Sequence, residues 1–317
     1  MRIVFMGTPE FAVPCLDILL KNAYDIVGVV TAPDKAAGRG QLLQSSPVKQ
    51  YALEHGLNIL QPERLKGEKF IEELKSLNAD LQIVVAFRML PEAVWNLPSQ
   101  GTYNLHASLL PKYRGAAPIN WAVINGEKES GVTTFKLKHE IDTGNILMND
   151  KVSLTEETTA GELYDILMHK GAELLLKTVK KIEESMLTHE PLSFITQKDY
   201  EACHAPKIFK ETCRINWNKT VEEIYNLVRG LSPYPAAFTE LLQEDKCFGL
   251  KIFSGTKEIT NNSEPNGSLI TDNKTFLKIK CSKGYFAITE LQLQGKKRMK
   301  VAEFLRGFTI KSNANVI

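Results

Sequence analysis

The first two hundred residues alternate between short apolar runs and segments whose apolar side chains recur at helical spacing. The run RIVFMG is followed by the helical segment PEFAVPCLDILLKNA and then by a second apolar run, DIVGVVTAP. Farther on, ADLQIVVAF and GTYNLHASLL are separated by the helical segment PEAVWNL. This strand–helix–strand order predicts an α/β fold with a doubly wound, mostly parallel, Rossmann-like sheet. In such sheets ligands bind beyond the carboxyl ends of the strands.

The pattern changes near residue 200. A long amphipathic helix, TTAGELYDILMHKGAELLLKTVKKIEES, precedes an irregular stretch, and beyond it one helix, TVEEIYNLVRGL, leads into short strands separated by turn residues. Such strands predict a smaller β-barrel or sandwich of the oligonucleotide-binding (OB) type. We therefore expect a first domain over residues 1–188, a linker over 189–205 and a C-terminal β-barrel domain over 206–317.

The charge is divided unevenly between these two parts. Residues 1–200 contain 21 Lys and Arg against 25 Asp and Glu, whereas residues 201–317 contain 18 against 12. A basic second half beside an acidic first half suggests a polyanionic partner for the second half, and a solvated lysine-rich surface is the alternative.

Several classes of protein do not fit the sequence. The longest apolar runs, such as IVVAF, are far shorter than the roughly 20 residues that span a bilayer. The first apolar run is interrupted at Thr8-Pro9, so we expect no signal peptide, no membrane association and a cytoplasmic location. The five cysteines include no C-x-x-C pair, and Cys203, His204 and Cys213 lack a fourth ligand, so no metal is expected.

Polar side chains alternate with apolar ones in YNLHASLLP, residues 103–111. Because successive side chains of a strand point to opposite faces, the spacing predicts that Asn104, His106 and Ser108 share one face. An exposed edge strand would account for this pattern. The alternative is a ligand-binding strand, which is favoured by the position of the run at the carboxyl end of the predicted sheet.

An acidic residue in a later loop could complete such a site. The segment EIDTGNIL carries Asp142, which is either a turn former or, if the loop folds back over the sheet edge, a partner that orients His106. An amide, an imidazole and a carboxylate suit addition to a carbonyl, since the first two can stabilise an oxyanion and the third can organise proton movement. Ser108 lacks the G-x-S-x-G context of an acyl-accepting nucleophile, so direct transfer to an amine is favoured.

Two basic segments are candidates for contacts with a polyanion. The loop DKAAGRGQLLQSSPVK contains Arg39, and the turn GKKRMK contains Lys296, Lys297 and Arg298. A mobile loop and a solvated hairpin are the respective alternatives. Gly7 stands without the rest of a G-x-G-x-x-G fingerprint, so a dinucleotide cofactor is not indicated.

Four blocks together closely resemble the methionyl-tRNA formyltransferase family. They are MRIVFMGTPEFA, PDKAAGRGQLLQSSPVK, NLHASLLPKYRGAAPI and IDTGNIL, in this order and at these distances. The resemblance covers essentially the whole first domain, and the basic β-rich second domain is also similar. It implies transfer of a formyl group from the co-substrate 10-formyltetrahydrofolate to the α-amino group of methionine on initiator methionyl-tRNA, by an enzyme that needs no metal.

The resemblance also implies roles for particular residues. The catalytic trio of the family corresponds to Asn104, His106 and Asp142. The other implied contacts are with folate, at Ser108, Leu109, Leu110 and Pro111, and with tRNA, at Arg39, Lys296, Lys297 and Arg298. We expect a monomer.

One segment departs from the family pattern, and other functions stay open. Where many relatives have A-Y-G-x-I-L-P after the third strand, this chain has AFRMLP, with Arg88 and no glycine, so contacts with the pterin do not carry over there. The rival functions are formyl transfer to a small amine, hydrolysis of the formyl donor, and RNA binding without catalysis. The long loop with Arg39, the basic second domain and the intact trio argue against these rivals.

Overall fold

The protein is described by a computed structural model that covers residues 1–37, 42–260 and 263–317. These residues divide into two compact units. The first unit comprises residues 1–115, 129–152 and 164–205, and the second comprises residues 116–128, 153–163 and 206–317. The boundaries 1–188, 189–205 and 206–317 stay a sequence-based prediction.

The helices and strands are numbered along the chain. Up to residue 205 they are β1 (Arg2–Gly7), α1 (Val13–Lys21), β2 (Asp25–Val30), β3 (Lys35–Ala37), β4 (Leu42–Gln44), α2 (Pro47–Glu54), β5 (Ile59–Leu60), α3 (Glu68–Ser76), β6 (Leu81–Val85), α4 (Glu92–Trp95), β7 (Thr102–His106), β8 (Arg114–Gly115), α5 (Pro118–Ile124), β9 (Glu129–Lys136), β10 (Ile146–Ser153), α6 (Ala160–Thr188) and β11 (His204–Ala205). Beyond residue 205 they are α7 (Val221–Leu231), β12 (Ala237–Gln243), β13 (Lys246–Ile259), β14 (Leu269–Thr271), β15 (Leu277–Cys281), β16 (Gly284–Leu293), β17 (Met299–Lys300), α8 (Val301–Gly307) and β18 (Asn315–Val316).

The sheet of the first unit has the strand order β10-β9-β7-β6-β1-β2-β5. Strands β5, β2, β1, β6 and β7 run parallel, and β9 runs antiparallel to β7. Residues 3–6 of β1 are fully buried, as expected for a parallel strand covered on both faces. The predicted mostly parallel, doubly wound sheet is therefore confirmed.

The order of the strands also fixes where a crevice opens. From β1 the chain moves to β2 and β5 on one side, and only afterwards to β6 and β7 on the other side. The strand order thus reverses between β1 and β6. Ligands of such sheets bind outside the carboxyl ends of the strands at this switch point, which is where β6 and β7 deliver the segments that follow them.

The second unit contains an antiparallel sheet with the order β14-β15-β16-β13-β12-β18. A bridge between Ser268, just before β14, and Asn315 in β18 links the two ends of this order, so the sheet forms a nearly closed barrel. Register shifts between Ile252 and Gly255 interrupt the long strand β13, and such bulges bend a strand. The predicted β-barrel is confirmed.

Helix α5 belongs to the second unit although it lies early in the chain. The Asn120 amide donates a hydrogen bond to the carbonyl of Gly230 at the end of α7, at 2.8 Å. A Cβ atom at Gly230 would lie 2.9 Å from the Ile124 backbone nitrogen, so glycine permits this close approach. Such long-range contacts are not visible in the periodicity of either segment.

Helix α3 is shorter than the stretch of helical apolar spacing that contains it. Apolar residues recur at helical spacing over residues 62–78, but the helix extends only from Glu68 to Ser76, because a turn closed by a hydrogen bond from Gly67 N–H to the Arg64 carbonyl precedes it. None of the helices within the described ranges has an apolar stretch long enough to cross a bilayer.

Helix α7 carries a capping box at its start. The Thr220 hydroxyl accepts a hydrogen bond from Glu223 N–H, and the Glu223 carboxylate accepts one from Thr220 N–H. The bond from the Thr220 backbone N–H, together with Lys219, lowers the pKa of Glu223 from its ordinary 4.5 to about 2. Val221, Ile224 and Val228 then extend from this start into the barrel core.

We predict that Thr220→Ala lowers the free energy of unfolding by about 1 kcal/mol, because helix donors lose their acceptor. Thr220→Ser keeps the hydroxyl, so its free energy of unfolding should stay close to that of the parent protein.

The pKa of Glu223 is depressed in the folded state, so the contribution of its carboxylate to stability is complete above pH 4.5 and is lost as the pH falls toward 2. In urea unfolding, Glu223→Gln should have a lower free energy of unfolding than the parent protein at pH 7, and this difference should become smaller as the pH is lowered to 3. A difference that stays constant between pH 7 and pH 3 would contradict this assignment.

Candidate active site

Strand β7 presents two polar side chains at the carboxyl edge of the sheet. It pairs with β6 and with β9, and Tyr103 and Leu105 on one face are 1% and 3% exposed. Asn104 and His106 lie on the other face. Among the described residues, no partner hydrogen-bonds the half-buried Asn104 amide, so it can donate to a ligand.

The ring of His106 is held by a partner at each of its two nitrogens. Nε2 lies 2.8 Å from the carbonyl oxygen of Tyr113, and Nδ1 lies 3.8 Å from Oδ2 of Asp142. A carbonyl oxygen only accepts hydrogen bonds, so the neutral ring carries its proton on Nε2 and leaves Nδ1 unprotonated. A second proton on Nδ1 would face the Asp142 carboxylate at a distance that is too long for a direct hydrogen bond and short enough for an ion pair.

The loop after β9 holds Asp142 in a conformation that few residues adopt. Its φ is 54°, in the left-handed region that Asp tolerates better than most residues. Oδ2 accepts a hydrogen bond from Gly115 N–H at 2.9 Å. A Cβ atom at Gly144 would lie 1.8 Å from the Lys136 carbonyl oxygen, so the glycine of the D-T-G segment lets the loop approach β9.

A network that the sequence did not reveal supports this loop. The amide nitrogen of Gln197 donates to the carbonyl oxygens of Asp142 and Gly144, both at 2.8 Å. The amide oxygen of Gln197 accepts from Nε and Nη2 of Arg114, at 3.0 and 2.9 Å. Arg114 is 8% exposed and also pairs with Asp199 at 2.9 Å. Its charge is therefore used to hold the loop.

Gln197 lies within the stretch that the sequence predicts to be a linker. That stretch also contains Cys203, whose carbonyl accepts from Arg114 N–H at 3.0 Å, and β11, which pairs with β8. The Gly115 backbone has a φ of 124°, and a Cβ there would lie 2.7 Å from the Ala205 carbonyl oxygen. No local motif identifies Gln197, because its partners are more than fifty residues away in the sequence.

The segment after β7 forms a closed turn. The strand ends at His106, so Ser108 is not part of the alternating face that the sequence suggested. The Ser108 hydroxyl is fully buried and donates to the Lys112 carbonyl at 2.6 Å, and the Ser108 carbonyl accepts from the Thr133 hydroxyl at 2.6 Å. Ser108 thus shapes the turn that positions Leu109 to Pro111.

A cleft of about 450 Å³ lies against this turn. Leu109, Leu110 and Pro111 form part of its wall. Ser130, at the start of β9, also lines it, and the Ser130 hydroxyl is the one buried side-chain polar atom without a hydrogen-bond partner in the described part of the chain. A buried hydroxyl without a partner is costly, so a ligand atom in the cleft would satisfy it.

The segment AFRMLP, residues 86–91, follows β6 at the switch point. Ala86 has a φ of 47°, and Leu90 is buried in the core of the first unit. Arg88 donates to the carbonyl oxygen of Glu63 at 3.0 Å and also to that of Pro62. Its guanidinium therefore ties this segment to the residues that follow β5.

The basic residues predicted to contact tRNA differ from one another in their surroundings. Arg39 lies outside the residues that the structure describes. Lys296 and Lys297 are exposed, and within the described ranges neither has an acidic partner. Arg298 pairs with Glu290, and its guanidinium carbon lies 4.3 Å from the centre of the Phe253 ring, so part of its charge is neutralised.

The acidic residue Asp34, which follows β2, also has structural partners. Asp34 pairs with Lys49 at 2.6 Å and accepts a hydrogen bond from the Gln61 amide at 3.0 Å. The hydrogen bond from Lys49 keeps the pKa of Asp34 below its ordinary value. Across residues 1–37, 42–260 and 263–317, no three His, Cys, Asp or Glu side chains are grouped to hold a metal.

Comparison with known proteins adds sequence matches over nearly the whole chain. The formyl transferase family model matches residues 1–179, and the model of the formyl transferase C-terminal domain matches residues 207–309. A methionyl-tRNA formyltransferase of Bacteroides fragilis is 53% identical over 309 residues, which are 97% of this chain and 95% of that protein. One of Flavobacterium johnsoniae is 50% identical and covers 100% and 99% of the two chains.

Solved structures with lower sequence identity share the fold. The sugar 3N-formyl transferase WlaRD, solved in the presence of dTDP and 5-N-formyl-THF, has a TM-score of 0.66 at 20% identity, with 94% of this chain and 99% of that chain covered. HypX from Aquifex aeolicus in complex with tetrahydrofolic acid has a TM-score of 0.62 at 18% identity, covering 96% of this chain and 47% of that one. Since both family models match and identities above 50% extend over almost the whole sequence, the chain belongs to the methionyl-tRNA formyltransferase family.

Proposed function

We propose that this enzyme transfers the formyl group of 10-formyltetrahydrofolate to the α-amino group of methionine on initiator methionyl-tRNA. The observation that carries the proposal is the arrangement of Asn104, His106 and Asp142 at the carboxyl edge of the sheet. The identities of 53% and 50% to proteins named methionyl-tRNA formyltransferase support the acceptor. We place the chemistry in residues 1–188 and tRNA binding in residues 206–317, joined by residues 189–205.

The reaction is a direct attack by the acceptor amine on the formyl carbon. An α-amino group with an ordinary pKa near 8 is partly neutral at pH 7, so a strong base is unnecessary. As the C–N bond forms, negative charge develops on the formyl oxygen. The free Asn104 amide and a proton on Nδ1 of His106 are the donors placed to stabilise it.

Cleavage of the bond between the formyl carbon and N10 of the folate completes the transfer. The amine loses one proton and N10 of the folate gains one, so the overall reaction neither takes up nor releases a proton. While the oxyanion forms, the Asp142 carboxylate faces the proton on Nδ1 of His106; it then accepts the amine proton and passes it to N10 as the bond to N10 breaks. This role needs a carboxylate that lies near the ring but forms no direct hydrogen bond with Nδ1. The separation of 3.8 Å between Nδ1 of His106 and Oδ2 of Asp142 meets both conditions.

The folate co-substrate is proposed to contact the turn after β7. Since the Ser108 hydroxyl is already bonded to Lys112, the contribution of the S-L-L-P segment comes from Leu109, Leu110 and Pro111, with the Ser130 hydroxyl as the polar contact. Apolar walls with one polar group are typical of small-molecule sites. No metal takes part in the proposed reaction. We propose contacts with tRNA phosphates for Arg39, Lys296, Lys297 and, more weakly, Arg298.

The acceptor can be tested directly. The protein is incubated with 10-formyltetrahydrofolate and, separately, charged initiator methionyl-tRNA, charged elongator methionyl-tRNA or an amino sugar nucleotide. We expect formylmethionine on the initiator alone. Formylation of the amino sugar would move the protein to the small-acceptor class, and release of formate without an acceptor would indicate a hydrolase.

We predict that His106→Ala and Asp142→Ala each lower kcat by roughly 1,000-fold or more, because oxyanion stabilisation and proton transfer each contribute about 10²- to 10⁴-fold. Asp150→Asn removes a carboxylate of the first unit that pairs with Lys170, and it should leave kcat almost unchanged. Single-turnover rates with charged initiator tRNA measure the effect, and thermal unfolding checks the fold. A rate near that of the parent protein would remove the substituted residue from the mechanism.

Gln197 is predicted to be a positioning residue. Gln197→Ala should lower kcat about tenfold, with little change in the KM for either substrate, because Asp142 loses its orientation but keeps its charge. Gln197→Glu keeps the partner of Arg114 but places a carboxylate against the carbonyls of Asp142 and Gly144, so it should not restore the rate. The pH profile of kcat should also change in both variants. A stability loss with unchanged kcat and an unchanged profile would show that Gln197 is only structural.

A further inference from the structure

The second unit contains an open cleft that the proposed reaction does not use. It has a volume of about 750 Å³, within the range of small-molecule sites. We call it the aromatic cleft and define it by Phe209, Tyr234, Phe238, Lys210 and Lys251, which all line it. Its rim also includes Gln294 and Gly295, which immediately precede the basic residues Lys296 and Lys297.

Two of the aromatic rings in the cleft are unusually exposed. Tyr234 is 82% exposed and Phe209 is 57% exposed. Tyr234 stands between Pro233 and Pro235, and proline restricts both its own backbone and that of the residue before it. An exposed ring on a restricted backbone loses little conformational entropy when it binds a flat partner.

The charge around these rings is positive. The Lys207 ammonium lies 5.7 Å from the centre of the Phe209 ring, and that of Lys210 lies 5.9 Å from the centre of the Phe238 ring. Neither of these lysines, nor Lys251, has a carboxylate partner in the portion of the chain that the structure describes. The acidic residue of the wall, Glu240, is already paired with Arg214 at 2.9 Å.

We infer that the aromatic cleft binds an unpaired nucleotide of the tRNA substrate, with the base stacked on Tyr234 or Phe209 and its phosphates beside Lys210 and Lys251. The identity of the RNA rests on the proposed function, whereas the preference for an unpaired base rests on the rings. A base within a duplex has both faces covered by neighbours, so only an unstacked base can use an exposed ring. Stacking accepts any base, because each has a π-face.

The arrangement fits RNA better than a protein segment. An apolar helix would leave the three lysines without counter-charges, and an acidic peptide would leave the exposed rings without flat partners. A nucleotide satisfies both, because it joins an aromatic face to a phosphate. The adjacent Lys296 and Lys297 would continue the positive track along the strand.

Binding of full-length protein to charged initiator methionyl-tRNA tests this inference. Tyr234→Ala and Phe209→Ala should each raise the Kd and the KM for tRNA about tenfold, while kcat and the KM for the folate stay unchanged. Tyr234→Phe retains the ring and should bind like the parent protein. Ile259→Ala, at another exposed apolar side chain of the same unit, serves as the matched control. Unchanged binding in both alanine variants, or equal losses in Tyr234→Phe and Tyr234→Ala, would overturn the inference.

A probe that is independent of formylation separates this inference from the proposed function. A four-residue single-stranded oligoribonucleotide carrying 2-aminopurine should lose fluorescence when it binds the parent protein, and Tyr234→Ala should abolish the quenching. Replacing Lys210 and Lys251 by Gln should reduce the salt dependence of log Kd by about 0.7 per lysine. If the oligonucleotide is not quenched while initiator tRNA is formylated, the cleft assignment fails and the enzymatic function stands. If quenching occurs without formylation, the cleft assignment stands and the proposed enzymatic function fails.

Discussion

The hydrogen bond from Gly115 N–H to Asp142 is the contact on which the active site depends. It holds a carboxylate oxygen 3.8 Å from Nδ1 of His106, in a loop whose backbone is in the left-handed region. The loop keeps this shape because Gln197 bonds two of its carbonyls and is itself held by the buried Arg114. This network therefore fixes the position of the Asp142 carboxylate beside His106.

The same network explains why a polar strand can be buried. His106 is 7% exposed, yet both of its nitrogens have electrostatic partners, and the Ser108 hydroxyl beyond the strand is bonded within its own turn. On the face of β7 that carries His106, the Asn104 amide has no hydrogen-bond partner among the described residues. Among the buried side-chain polar atoms of the described residues, only the Ser130 hydroxyl in the neighbouring cleft lacks a hydrogen-bond partner.

Sequence patterns predicted the architecture because each element carries its own periodicity. The parallel sheet, the long helix α6 and the barrel strands all follow from local apolar spacing. The carboxyl-edge location of Asn104 and His106 followed from strand order, whereas the residues left two alternatives for Asp142, a turn former or a partner of His106, and the family resemblance favoured the second. Gln197 and the end of β7 at His106 could not be predicted, since they depend on contacts between residues far apart in the chain. The aromatic cleft likewise assembles residues from 209 to 294 that show no common motif.

Which ring nitrogen of His106 carries the proton is the most direct test of the proposed active-site geometry. Two-bond nitrogen–proton correlation spectra of protein labelled with ¹⁵N-histidine, assigned with a His106→Asn variant, report which ring nitrogen carries the proton. We predict that the neutral ring of His106 is protonated on Nε2, which donates to the Tyr113 carbonyl, and that Nδ1, which faces Asp142, is the nitrogen without a proton. A neutral ring protonated on Nδ1 would contradict this assignment, because Nε2 would then carry no proton to donate to the Tyr113 carbonyl.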